Sequence, residues 1–117
     1  MFYQKYSLHE NFFSEFKKGN FIIRKLSINT PFEGETEVHK YINDVYVVYS
    51  GKARVILSKE YWGGKEIDRG EIRGCEIKDY KEEVISEGDL LFISAGTAHK
   101  LLVEDGSFIL LIIKIPE

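Results

Sequence analysis

The sequence predicts an all-β protein, an antiparallel β-barrel with one helix at its N-terminal end. Two observations lead there. From Phe21 onward the chain breaks into short β-rich runs separated by Gly, Asn, Asp and Ser, at the spacing typical of sandwiches and barrels. Before Phe21 the pattern is different: Leu8, Phe12 and Phe16 recur at four-residue steps, the spacing of one helix face.

Taken in order, Ser7-Leu8-His9-Glu10 has the Ser-x-x-Glu spacing of a capping box, and Gly19 suits a C-terminal cap. This predicts an amphipathic helix over about residues 8–18, its aromatic stripe packed on the barrel or on a partner. Strands follow near 21–28, 36–41, 44–49, 52–58, 82–86, 90–93, 99–103 and 108–115. Ser50-Gly51 turns one hairpin and Glu104-Asp105-Gly106-Ser107 another. Residues 59–79, rich in Gly and charge, read as an irregular loop of the kind that serves as a lid or an interface. Phe108 to Ile113 is apolar on both faces, whereas the last strand of a barrel needs only one face inward. Its outer face calls for a cover, which predicts a homodimer; the N-terminal helix is the alternative cover within one chain.

With 117 residues, of which 44% are hydrophobic and 30% charged, the chain suffices for one domain that buries roughly two-thirds of its unfolded surface. That domain spans 1–117, with a helical arm over 1–20 and the barrel over 21–117. The net charge is −3 and the Lys and Arg residues are scattered, so nothing marks a nucleic-acid or membrane partner. A small-molecule ligand is the expected partner. No apolar stretch near Met1 marks a signal peptide, and the longest apolar run, Phe108 to Ile113, is too short to span a bilayer. A cytoplasmic location is expected, and a single Cys75 without an internal disulfide partner fits a reducing compartment. Cys75 has no adjacent base, no Ser-His-Asp ordering is visible, and no Gly-x4-Gly-Lys-Ser loop occurs; covalent catalysis and nucleotide binding therefore lack a motif.

Chemistry concentrates in two segments, Glu37-x-His39-x4-Asp44-x6-Gly51 and Gly88-x5-Ser94-x-Gly96-x2-His99. On a strand Glu37 and His39 point the same way, and a turn at Tyr41 to Asn43 returns Asp44 beside them. His99, after a Gly-containing turn, supplies a fourth group. If Asp44 faces inward so do Tyr46 and Val48, and an inward His99 takes Leu101 and Val103 with it, giving an apolar cup. Buried Asp, Glu and His are costly unless paired or coordinated, so their convergence asks for a cation. The competing reading puts Glu37 and Asp44 on the rim and satisfies both imidazoles by hydrogen bonds.

These segments resemble the two motifs of the cupin superfamily, the first running Gly, His-x-His, Glu, Gly and the second Gly, Pro-x-Gly, His, Asn. The resemblance covers residues 34–103. His39 takes the second-His slot, Glu37 replaces the first His, Asp44 replaces the Glu, and the step to Gly51 is kept. Gly88-Asp89, Gly96 and His99 fall on pattern, whereas Ser94 stands for Pro and Val103 for Asn. The resemblance implies a double-stranded β-helix and, residue by residue, a metal site of Glu37, His39, Asp44 and His99. Imidazole with carboxylate suits divalent Fe, Mn, Zn, Ni or Co alike. It further implies dioxygenase- or isomerase-type chemistry on a small polar or acidic metabolite, with Glu37 a fourth ligand or a nearby base. A non-catalytic module of the same fold, binding a small molecule or metal, is the alternative. Tyr46 and Arg73 are the candidate substrate-binding residues, the Arg73 guanidinium being suited to grip a carboxylate or phosphate. A plain Glu71–Arg73 ion pair competes with that role, and Lys40 and Lys100 alternate away from the site.

Overall fold

The computed structural model describes residues 3–8 and 14–117. Its strands, in chain order, are β1 Glu15–Lys18, β2 Phe21–Asn29, β3 Phe32–Glu33, β4 Glu37–His39, β5 Ile42–Ser50, β6 Lys52–Ser58 and β7 Glu60–Trp62. They continue with β8 Lys65–Asp68, β9 Glu71–Arg73, β10 Glu76–Lys78, β11 Lys81–Ser86, β12 Leu90–Ile93, β13 Ala98–Val103 and β14 Ser107–Pro116. One sheet has the order β1-β2-β14-β5-β12 and the other β11-β6-β13-β4-β9-β8, with β3 beside β13. A separate ribbon pairs β10 with β7.

Side-chain alternation fills the space between the two sheets. On β14 Phe108, Leu110, Ile112 and Lys114 are buried, while Ile109, Leu111 and Ile113 between them are half-buried on the outer face. Tyr46 and Val48 on β5, Ala53 and Val55 on β6, Ile85 on β11 and Val103 on β13 join Phe108, Leu110 and Ile112 in one apolar cluster. Burying a side chain such as Phe108 or Leu110 contributes about 1.5–3 kcal/mol, which makes this cluster the main source of stability. The β5–β6 hairpin closes on Gly51 at a φ of +89°. A Cβ there would stand 2.3 Å from the Ser107 carbonyl oxygen, so the turn needs glycine twice over.

Two expectations are corrected. The helix expected over 8–18 is not formed where its residues are described: Glu15–Lys18 is a strand, with Phe16 opposite Ile23 and Lys18 opposite Phe21. Residues 9–13, including Phe12, lie outside the described residues. Pairing with β2 gives β1 a ladder of backbone hydrogen bonds and seats Phe16 beside Ile23 and 5.9 Å from the Tyr6 ring. Such tertiary pairing overrides a local capping signal. Residues 59–79 are also not irregular, for they contain β7, β8, β9 and β10. Strand β9 extends the second sheet beside β4, and Val38, Ile72, Cys75 and Ala98 form a second apolar cluster against Tyr61 and Ile77 of the β7–β10 ribbon. The ribbon covers an apolar sheet face that alternation would otherwise leave in water.

Candidate metal centre

Val38 and Ile72 turn one way, so alternation turns Glu37 and His39 on β4, with Glu71 and Arg73 on β9, the other way. The register sets Glu37 against Arg73 and His39 against Glu71. The chain reverses after His39 into β5, and Asp44 enters two residues inside that strand. Asp44 lies directly opposite Lys114 of β14. The turn before β13 is fastened to both halves of the first motif, since Gly96 N–H donates to the His39 carbonyl at 2.8 Å and Ala95 N–H to Asn43 Oδ1 at 2.8 Å. That fastening places His99, three residues on, beside His39, with ring centroids 5.0 Å apart.

The donor atoms converge on one carboxylate oxygen. Asp44 Oδ2 is 3.2 Å from His39 Nε2 and 3.6 Å from His99 Nε2, and the His39, Asp44 and His99 donors all lie within 4.8 Å of one another. Asp44 and His99 are each 2% exposed and His39 5%. The far nitrogen of each ring has its own acceptor: His39 Nδ1 meets Glu71 Oε1 at 2.6 Å and His99 Nδ1 meets the Thr97 carbonyl at 3.0 Å. Those acceptors hold a proton on each Nδ1 and leave Nε2 as the lone-pair side. His99 Nε2 is buried and has no hydrogen-bond partner among the described residues.

No protein-family model matches the sequence, and no curated protein is detectably similar to it. Solved structures are. The Schizosaccharomyces pombe Cnp3 cupin domain superposes with a TM-score of 0.65 at 8% identity, over 89% of this chain and 59% of that one. Hydroquinone 1,2-dioxygenase from Sphingomonas sp. TTNP3 gives 0.63 at 15% identity, over 86% of this chain and 62% of that one. The chain has the cupin fold. BH2720 from Bacillus halodurans gives 0.62 at 17% identity, over 83% of this chain and 63% of that one, so the present chain spans about three-fifths of the length of each. At these identities the likeness extends to the cupin fold and no further.

The residues present fit the ion that a cupin fold implies. Ligands about 2.1 Å from a shared divalent ion stand roughly 3 Å apart when adjacent, close to the separations at Asp44 Oδ2. Two imidazoles and one carboxylate form the donor set of a facial triad. The electrostatics differ among the three groups. Burial raises the Asp44 pKa, but the His39 hydrogen bond and the Lys114 charge outweigh it and hold the carboxyl below its ordinary value. Burial likewise works against the His39 imidazolium, yet the Asp44 and Glu71 carboxylates leave its pKa raised. His99 is lowered, chiefly by burial. Asp44 is thus held as the anion, while the two rings are shifted in opposite directions, His39 toward its charged form and His99 toward its neutral one.

Glu37 stands apart from this group. Its Oε1 is 3.9 Å from His39 Nε2 and 3.2 Å from the Arg73 guanidinium, and its side chain is 38% exposed. Arg73 also meets Glu71 Oε1 at 3.1 Å, so the guanidinium sits between two carboxylates. Tyr46 is buried in the apolar cluster, its ring edge-on to His99 with centroids 6.3 Å apart; burial, then the Asp44 and Glu37 charges, push its hydroxyl pKa far up. A cleft of about 310 Å³ opens at His39, lined by Arg24, Glu37, Glu71, Arg73 and Lys114 among others. Tyr46, expected to bind substrate, does not line this cleft. Lys40 and Lys100 are not part of it, and Lys100 pairs with Glu33 at 3.0 Å.

The site roles of two residues escaped sequence reasoning. Glu71 was read only as an ion-pair partner of Arg73, a pair the structure contains; it lies in the segment read as a loop, so its second partner, His39 on β4, was not visible. Lys114, which donates to Asp44 Oδ1 at 3.0 Å, did carry a signal. It continues the inward parity of Phe108, Leu110 and Ile112, and a lysine at an inward position needs a buried anion. Among the described residues no helix is long and apolar enough to cross a membrane.

Proposed function

We propose that this protein binds one divalent cation per chain through His39, Asp44 and His99, and acts on a small polar or acidic molecule held in the cleft that His39 lines. The observation that carries this reading is the buried His99 Nε2, without a hydrogen-bond partner among the described residues and aimed with His39 Nε2 at a single Asp44 oxygen. Two imidazole nitrogens and a carboxylate oxygen facing one point are a donor set that a divalent cation satisfies together. When bound, a divalent ion there supplies Lewis acidity toward a ligand oxygen, the common element of dioxygenase- and isomerase-type chemistry. The chain's own part is positioning. Glu71 fixes the His39 tautomer, Thr97 fixes that of His99, and Arg73 presents its guanidinium at the cleft, where an acidic group can exchange with Glu37 as its partner. Glu37, half-exposed beside His39, is suited to a fourth-ligand or proton-accepting role rather than to the inner set. A dioxygenase is among the neighbours of this fold, a likeness of fold alone.

The test is metal analysis of untagged protein, followed by oxygen-uptake and isomerase assays over a panel of small acids. Turnover that requires the bound ion supports an enzyme. A ligand that raises the melting temperature in proportion to its concentration, with no turnover anywhere in the panel, would replace that reading with a binding module.

The same reading includes a homodimer formed through the outer face of the β1-β2-β14-β5-β12 sheet. Register places Ile23, Ile113, Val45 and Phe92 in one cross-strand row and Leu111, Val47 and Leu90 in another. Leu90 is 66% exposed and Phe92 56%, so these rows end in an apolar patch of the kind that marks an interface.

A further inference from the structure

Lys114 is an unusual residue for the inside of a barrel. It is 8% exposed, follows three apolar residues of the same parity, and lies opposite Asp44 across the β14–β5 ladder. Its ammonium donates to Asp44 Oδ1 at 3.0 Å, while Oδ2, the other oxygen, faces the two imidazoles. The carboxylate is therefore divided between two cation positions, and one of them is filled by a covalently tethered charge.

We infer that Lys114 is a positioning residue that reserves Asp44 Oδ1, confines any ion to Oδ2, and holds the affinity of the site for divalent cations down. This rests on the proposed site of His39, Asp44 and His99. Two effects follow from the geometry. An ion held by Oδ2 alone has a one-oxygen carboxylate ligand, because a two-oxygen grip would have to displace the ammonium. The ammonium also repels the ion across a poorly solvated gap, where like charges a few ångströms apart interact strongly. A residue present only to neutralise a buried carboxylate would predict the reverse on its removal, since Asp44 would lose its orientation and bind an ion less well.

The experiment is titration of the full chain with Co(II), followed by calorimetry and by visible absorption, for wild type, Lys114→Arg, Lys114→Gln and Lys114→Met. Glutamine keeps an N–H donor for Oδ1 but removes the charge. The expected result is that Lys114→Gln and Lys114→Met bind Co(II) on the order of tenfold tighter or more, that Lys114→Arg stays near wild type, and that the Co(II) absorption of Lys114→Met shifts as Oδ1 joins the coordination. A Lys114→Gln chain that folds only with Co(II) would also support the inference, for the ion then takes the lysine's place at Asp44. Equal or weaker binding by Lys114→Gln overturns the inference while wild-type binding leaves the metal site standing. Absence of Co(II) uptake by wild type and Lys114→Gln together overturns both, whereas failure of Lys114→Gln to fold with or without the ion overturns only the role given to the lysine.

Discussion

The two ends of the barrel interior are built from the same strands and have opposite chemistry. At one end β5, β13 and β14 contribute Val48, Val103, Phe108 and Leu110, which pack with Val55 of β6 at 3% exposure or less. At the other end the same three strands contribute Asp44, His99 and Lys114, joined by His39 of β4. Tyr46 and Ile112 lie between, one residue pair deep in the register. Both ends are buried, so burial alone does not separate them. The difference lies in partnership: the apolar end needs only to exclude water, while each polar group at the other end must find a counter-charge or donor. One end can therefore hold the fold while the other is tuned for a ligand.

Substitutions at the two ends should separate these roles. The largest effect on stability is expected from Phe108→Ala, which empties a fully buried site and should cost about 3–5 kcal/mol in a denaturant titration, with metal binding by the folded fraction unchanged. A parallel loss of metal affinity would show that the two ends are not independent. Next comes Glu71→Gln at the polar end. It removes the carboxylate that orients His39 and should weaken metal binding by roughly 10–100-fold, read by calorimetry, with a far smaller change in stability than Phe108→Ala. Arg73→Lys should leave metal content unchanged and raise KM for an acidic substrate, because lysine cannot reproduce a two-point clamp; unchanged kinetics would return Arg73 to a purely structural bridge between Glu37 and Glu71. On the outer face, Leu90→Asp with Phe92→Asp should convert a dimer into a monomer by light scattering while leaving both interior ends intact. The smallest effect belongs to Lys40→Ala, which should alter neither stability nor metal binding measurably.

Much of the apolar end was legible in the sequence, because a two-residue alternation bounded by turns is a local signal. Strands β2, β5, β6, β11, β12, β13 and β14 lie close to their expected ranges. At the polar end His39, Asp44 and His99 were legible from spacing and from the resemblance to the cupin motifs, and the structure brings them together. What escaped was set by pairing between distant segments. Glu71 meets His39 only because β9 adds to the sheet beside β4, and strands as short as β7 to β10 carry little periodicity to read. Glu15–Lys18 looked helical because Phe16 fits a four-residue step as well as it fits a strand, and the neighbour that decides, Ile23, lies across a turn. Lys114 was the exception, visible to strict alternation and passed over because it closes an apolar run.

The central claim, that the polar end is a cation site and not a hydrogen-bonded plug, is tested most directly by metal occupancy. Untagged wild type and the His39→Ala, His99→Ala double variant would be equilibrated with Mn(II), Fe(II), Co(II), Ni(II) or Zn(II), desalted and analysed by mass spectrometry for metal per chain. The account predicts one divalent ion per wild-type chain and none in the double variant, with the double variant still folded through its apolar end. Full occupancy in the folded double variant, or none in wild type with any of the five ions, would contradict it.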